Sequence, residues 1–497
     1  MVLKKFINNL KTLVFYQRFV TIFFRITGIH RLFGFIFLYI ARFFYKQDIH
    51  LNSVVKELDF SRLKKYHQQN YIDENGTWCL NNTSHPGILH ISKKNKDDYT
   101  RELVFSYLEW LFASIKTIED DDLLISLTKK SLKSQFSKEP SSASLRIYPL
   151  MYAYKNNLIK EEFAISCIKE CFSLIHKKIE LGTGGNHFLD NLISLSLISS
   201  ILHNDKFLKI YLVLLINQIK SSTKNGYYEE KNPTYSEGLY IRINLLLDML
   251  SINARSETLR GYYNKLKKLS FRFKKYPLTH INDSYLPFSS IYDSKFNYKN
   301  FEFINNYYVY KIFNNNIASI VLNSIGKRGF LAHAHDASMS ISIFSKKSKK
   351  FLVTGYGTPH YKNDEIRDNC KSYVNYPTVT NEFKRDVISN GSFRIAKIFK
   401  PSIENISKNE FFDRKSKIGI TFFQSGIKIS SKFKDNTFSF FSDYENLDSG
   451  KKLIRIENYT NVMKAKSYRY DGIYNKIECY EYKFTFDNFI KIIILDD

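Results

Sequence analysis

Two histidines at alternating positions, His333 and His335, stand at the head of the run Met339-Ser340-Ile341-Ser342-Ile343 in this 497-residue chain. Successive side chains of a β-strand face opposite ways, so both imidazoles would point to one side and could share a site for catalysis or for a metal. Such a pair equally serves plain hydrogen bonding on a strand, and spacing alone leaves both readings open.

Two further stretches carry residues suited to chemistry. Gly184-Gly185-Asn186-His187-Phe188-Leu189-Asp190-Asn191 opens an apolar helical pattern. Glycines there permit close backbone approach, and a helix N-terminus favours a bound anion. The alternative is a glycine-rich loop with Asn186 as a simple helix cap. Gly226 to Ser236 precedes another helical pattern and contains Tyr235, with Tyr240 a little further on.

Taken in order, these elements resemble the heparinase II/III-like polysaccharide lyases. Gly184 to Asn191 is similar to the family's Gly-Asn-His-Leu…Asn element. Gly226 to Ser236 is similar to Asp-Gly-Gly-x-x-Glu-Arg-Ser-Pro-x-Tyr-His, which sets Tyr235 at the catalytic tyrosine and Ser236 where the family has His. Ala332 to Asp336 matches Gly-His-x-His-(Asn/Asp). Val353 to Thr358 matches Val-Asp-Pro-Gly-Thr, and Arg367 through Lys371-Ser372 to Thr378-Val379 matches Arg…Arg-Ser-Thr…His-Asn-Thr-Val.

The resemblance implies β-elimination at a uronic acid. Asn186 and His187 would neutralise the carboxylate, and Tyr235 and His333 would serve as base and acid. Tyr240, His335 and Arg367 would contact the glycan. Members that bind zinc use three positions that are here His335, Thr354 and Tyr376. One histidine cannot hold an ion that wants about four ligands, so no cofactor is expected unless Asp336 and His360 rebuild a site. The same degeneracy leaves open a non-catalytic protein that binds glycans or helps assemble surface polysaccharide.

The surrounding chain must position these residues. From about residue 98 to 273 apolar residues recur at spacings of three and four, as in the stripe Leu103, Tyr107, Leu108, Trp110, Leu111 and Ile115. Further helices are expected at roughly 123–135, 145–156, 187–203, 206–220, 236–252 and 256–273. After Pro277 and Pro287 the period becomes two. Tyr308–Phe313 and Ile317–Leu322 read as a hairpin, as do Ile418–Phe423 and Ile427–Phe433, with later strands at Thr437–Phe441, Leu453–Glu457, Ile477–Phe486 and Ile490–Leu495. Helices followed by strands indicate an α+β multidomain chain. The periodicity permits any helical bundle; the resemblance narrows it to an N-terminal incomplete (α/α) toroid at 48–275, followed by a C-terminal antiparallel β-sandwich at 276–497.

Residues 1–47 contain no Asp or Glu, yet Lys11, Arg18 and Arg25 fall on one helical face among Phe, Ile and Leu. The uncharged run Leu32 to Ala41 is too short to span a bilayer, and no cleavage site of a secretory signal follows it. The segment reads as a basic amphipathic element lying on an anionic membrane, or as a helical lid on the protein's own body. The net charge of +26 favours an acidic partner. No zinc-finger or RNA-recognition pattern accompanies it, which leaves an acidic polysaccharide and a membrane surface ahead of nucleic acid, and the cell envelope as the expected location. Five scattered cysteines argue against a disulfide framework, and Cys167 and Cys171 read as core thiols.

Overall fold

The computed structural model describes residues 51–68, 70–73, 77–80, 83–85, 103–114, 121–132, 138–180, 185–224, 227–228, 233–273, 300–304, 308–322, 338–355, 379–380, 388–389, 395–397, 402–447, 453–471 and 475–495. They divide into a helical unit, reaching Tyr228 and resuming over Tyr235–Lys268, and a sheet unit from Leu269 onward. The N-terminal basic segment lies outside the described residues. Among the described residues no helix is long and apolar enough to cross a membrane.

Among the described residues the first unit is built on seven long helices, the last two of them reaching past its bounds: α1 (Asp121–Leu132), α2 (Pro140–Lys155), α3 (Glu161–Lys178), α4 (Gly185–Ile201), α5 (Asp205–Ser222), α6 (Pro233–Met249) and α7 (Ala254–Phe273). Their starts follow local chemistry. Pro140 opens α2 where a missing N–H costs nothing, Glu161 and Glu162 sit in the first turn of α3, and the Asn204 side chain accepts from the Phe207 N–H at 3.1 Å. α2 and α4 meet through small polar residues: Ser194 Oγ donates to Ser144 O at 3.0 Å, and Asn191 Nδ2 to Ser144 Oγ at 2.9 Å. The Ser144 and Ser194 hydroxyls are both satisfied at this seam, so the helices approach closely without leaving either unpaired.

The expected stripe from Leu103 to Ile115 is not one helix. The chain turns at Ser106–Trp110, with Leu108 at φ 61 and fully buried, and helix resumes only at Leu111–Ser114. Trp110 Nε1 and Ser131 Oγ both donate to the Phe105 carbonyl at 3.2 Å, replacing the helical bond that the break removes. A three-stranded sheet, Asn70–Ile72, Trp78–Leu80 and Thr83–His85, also belongs to this unit and was not expected.

The second unit holds three main sheets, all antiparallel. A five-stranded sheet contains β1 (Phe301–Ile304), β2 (Tyr308–Phe313), β3 (Asn316–Val321), β4 (Ser340–Ser345) and β5 (Lys350–Val353), in order β5-β4-β3-β2-β1. The following strands are β6 (Val379–Thr380), β7 (Ile403–Ser407), β8 (Glu410–Asp413), β9 (Ile418–Phe423), β10 (Gly426–Ser431), β11 (Asn436–Ser442), β12 (Ile454–Glu457), β13 (Asn461–Asp471), β14 (Asn475–Phe486) and β15 (Phe489–Ile494). They form a four-stranded sheet, β6-β11-β14-β13, and a six-stranded sheet, β7-β8-β9-β10-β15-β12.

The three sheets share one apolar core, with Val309 and Ile343 from the first, Phe438 and Phe484 from the second, and Ile420 and Ile490 from the third. Thr354 and Phe441 exchange both backbone hydrogen bonds at 2.9 Å, which joins the end of β5 to β11. Asp443 reinforces the junction: it accepts from Phe351 N–H at 2.9 Å and from Arg469 Nε at 2.7 Å. Gly426 is required by close approach, since a Cβ there would lie 2.0 Å from the Ile492 carbonyl oxygen. Both expected hairpins are present. The tight turns are Asn314-Asn315, with Asn314 at φ 45, and Gln424-Ser425, so Gly426 pairs with Phe423 rather than standing in the loop.

Candidate active site

The first turn of α4 presents Asn186, half-buried, and His187, whose side chain is 40% exposed and whose Nδ1 lies 3.4 Å from Glu180 Oε1. The first turn of α6 presents Tyr235, also half-buried. Ser236, where the resemblance has a histidine, is fully buried.

One turn further along α4 stands Asp190, and two turns beyond Tyr235 on α6 stands Arg242. Their charged groups meet at 2.7 Å with both side chains almost wholly buried. This ion pair ties α4 to α6, the two helices whose first turns carry the three candidate residues. Burial pushes the Asp190 carboxyl up from the ordinary aspartate range, opposed chiefly by the Arg242 guanidinium, with His187 also favouring the ionised form. Gly238 makes room for the arginine: a Cβ there would sit 3.0 Å from Arg242 Nη1 and 3.3 Å from the Tyr66 hydroxyl.

The pair has charged and aromatic company. Glu109, held 3.2 Å from His67 Nδ1, adds its field at Asp190. Tyr148 is fully buried with its hydroxyl 3.4 Å from Ser194 Oγ, and burial pushes that phenol up. Tyr240 is buried as well. Its ring lies 6.0 Å from that of Tyr263, whose hydroxyl accepts from Arg62 Nη1 at 2.7 Å, and burial raises the Tyr240 phenol strongly. Of the two tyrosines singled out in the sequence, Tyr235 is therefore the accessible one.

The helical unit thus brings Asn186, His187 and Tyr235 onto two helices joined by a buried salt bridge. His333, His335, Arg367, Tyr376, Asp336 and His360 lie outside the described residues. Sequence reasoning missed Arg242 as the partner of Asp190. The signal was available: on α6, Tyr235, Gly238 and Arg242 recur at three and four along one face, so the arginine falls on an otherwise apolar side of its helix.

Of the three zinc positions that the resemblance implies, only Thr354 lies within the described residues, and it does not fit a zinc ligand. Thr354 stands where a carboxylate ligand is needed; it is fully buried, its backbone is consumed by pairing with Phe441, and its Oγ1 has no hydrogen-bond partner among the described residues. A neutral threonine hydroxyl is not among the thiolate, imidazole and carboxylate donors that hold zinc. Among the described residues no group of three His, Cys, Asp or Glu side chains could hold a metal ion.

No protein-family model matches the sequence, and no curated protein matches it. Solved structures do. The crystal structure of heparinase III superposes over 95% of this chain and 90% of its own, with a TM-score of 0.58 at 10% identity. In fold, this chain resembles heparinase III. A heparan sulfate lyase from Pedobacter heparinus aligns over 91% of this chain and 84% of its own, with a TM-score of 0.46 at 11% identity. At such identities the likeness is one of fold.

Proposed function

We propose that this chain is a polysaccharide lyase that cleaves an acidic, uronic-acid-containing glycan of the cell envelope by β-elimination. Its helical domain, 48–275, is an incomplete (α/α) toroid and its sheet domain, 276–497, an antiparallel β-sandwich. The observation that carries the reading is the Asp190–Arg242 pair, which fixes α4 against α6 and so holds the helix starts bearing Asn186, His187 and Tyr235, in a fold like that of heparinase III.

The chemistry follows from the difficulty of the reaction. The proton beside a uronate carboxylate is very weakly acidic until that carboxylate's charge is neutralised. Asn186 and His187 supply hydrogen-bond donors at the N-terminus of α4, where the helix dipole also favours an anion. Tyr235 and His333 divide the proton transfers: one removes the C–H proton, that bond's electron pair becomes the new double bond, and the other protonates the departing glycosidic oxygen. His335 and Arg367 bind the glycan's charged groups; Tyr240, on the same helix as Tyr235, is buried against Tyr263. No step uses a metal. Residues 1–47 hold the protein against an anionic membrane surface.

The test is ultraviolet absorption of unsaturated uronyl products from a panel of uronic-acid glycans. Tyr235→Phe and Asn186→Ala are each expected to lower kcat/KM by about a hundredfold or more. Hydrolysis products without that absorption would refute the elimination. One observation favours a second reading, a non-catalytic glycan-binding or polysaccharide-assembly protein: the neutral, buried Thr354 where zinc-binding lyases carry a carboxylate. Glycan binding without turnover, unchanged in Tyr235→Phe and His333→Ala, would select it.

A further inference from the structure

The sheet unit contains a cavity of about 400 Å³, within the size range of small-ligand sites, where the edges of two sheets open beside each other. β12 is the edge of the six-stranded sheet and β13 the edge of the four-stranded sheet among the described residues, and Asn458-Tyr459-Thr460 crosses between them. Ile454 and Ile456 come from β12, Val462 and Lys464 from β13, Tyr482 and Phe484 from β14, with Asn446, Leu447, Arg455 and Tyr459 completing the lining. Two cations and no carboxylate line it.

What a ligand can reach differs from what lies beneath. Leu447, Ile454, Tyr482 and Phe484 are buried and form the floor. The lip consists of Tyr459, 44% exposed, Val462, 41% exposed, Arg455, 53% exposed, and the exposed Lys464 and Asn446. The Tyr459 ring stands edge-on to Phe484 at 5.1 Å and 73°, which fixes the ring as a platform. Lys464 Nζ is steered by Asn446 Oδ1 and the Glu445 carbonyl, both at 3.3 Å; Arg455 pairs at 2.8 Å with Glu457, which lies outside the lining. The Tyr482 hydroxyl is spent on the Tyr444 and Glu445 carbonyls, so its ring serves as wall.

An acyl chain needs a deep apolar tunnel; this lip offers one aromatic platform, two cations and an amide around a shallow floor. That combination suits a pyranose ring, whose C–H face packs on an aromatic while a carboxylate or sulfate meets Lys and Arg. We propose that this cavity is a second glycan-binding site, separate from the helical-unit residues, that takes one or two units of an acidic saccharide and anchors the polymer without acting on it. It stands on the cavity itself and does not depend on the lyase chemistry.

The experiment is calorimetric titration of the full chain with tetrasaccharides of heparan sulfate, chondroitin and polygalacturonate, with maltotetraose, octanoate and oligo-dT as comparison probes. At least one acidic tetrasaccharide should show a binding component that Tyr459→Ala and Lys464→Glu each weaken about tenfold, and that persists in Asn186→Ala/Tyr235→Phe. Both altered lip residues are exposed, so melting temperatures should stay at the parent value. Absence of binding by all three acidic probes overturns the proposal. So does binding indifferent to Tyr459 and Lys464, or octanoate or oligo-dT binding as tightly with the same dependence on them. Binding through Tyr459 and Lys464 with no turnover of any glycan would sink the lyase reading and leave this site standing.

Discussion

The Asp190 carboxylate and the Arg242 guanidinium meet 2.7 Å apart in the interior of the helical unit, joining a helix whose first turn carries Asn186 and His187 to one whose first turn carries Tyr235. A buried pair of this kind contributes little relative to an apolar pair, but breaking it leaves an uncompensated charge. Asp190→Ala and Arg242→Ala are each expected to cost about 3–5 kcal/mol in urea unfolding. The double variant should cost clearly less than the sum. Additive losses would show that the two groups do not interact.

His176 supplies a pH dependence. Its Nδ1–H donates to the Phe172 carbonyl at 3.0 Å, and its Nε2 accepts from the Tyr211 hydroxyl, so the neutral ring is the one the structure fits. Burial pushes it down to about 4 from 6.5. With the folded value depressed, the stabilisation is present above the unfolded value and is lost as pH falls from about 6.5 to about 4. The loss should total about 3 kcal/mol, read as urea midpoints across that window. His176→Gln should flatten it.

Two glycines predict opposite signs. Gly426→Ala drives a Cβ into the Ile492 carbonyl at 2.0 Å, a backbone atom that cannot step aside, and should cost about 3 kcal/mol or more. Gly261 lies inside α7 with nothing within 4 Å of the added carbon. There Gly261→Ala should raise stability by about 1 kcal/mol through helix propensity. Thermal melts of the two variants separate these outcomes.

Thr354 predicts a neutral-to-stabilising change. Its hydroxyl is buried without a hydrogen-bond partner among the described residues, so Thr354→Val removes a desolvated polar group at nearly constant shape. Melting should be unchanged or improved by up to about 1 kcal/mol. Thr354→Asp, in contrast, buries a charge and should destabilise strongly, added zinc making no difference.

Much of this architecture is written in local patterns, and its exceptions have physical causes. Hairpins around Asn314 and Gln424-Ser425 follow from alternation broken by turn residues, and α3 from its acidic first turn and apolar spacing. Cys167 and Cys171 are indeed buried thiols, pushed up to about 12 and about 11 by burial. β13 escaped notice because Asn461 to Lys466 are all exposed, so no alternation marks them; its pairing with β14 is a tertiary fact. The break at Leu108 was invisible because apolar spacing continues through it. Motif order nominates Asn186, His187 and Tyr235 as candidates, whereas the Asp190–Arg242 link joins residues far apart in the chain and needs the fold to bring them together.

β13 also bears on how the protein behaves in company. Eleven residues long and paired only with β14 among the described residues, it offers a row of backbone donors and acceptors of the kind on which a second chain can grow a sheet. Lys464 and Lys466 stand on that edge at alternate positions, with Val462, Met463 and Tyr468 exposed nearby. An incoming strand would have to bury two ammonium groups, so the lysines act as guards against aggregation. Removing their charge would be expected to turn a solvated margin of the molecule into an adhesive one.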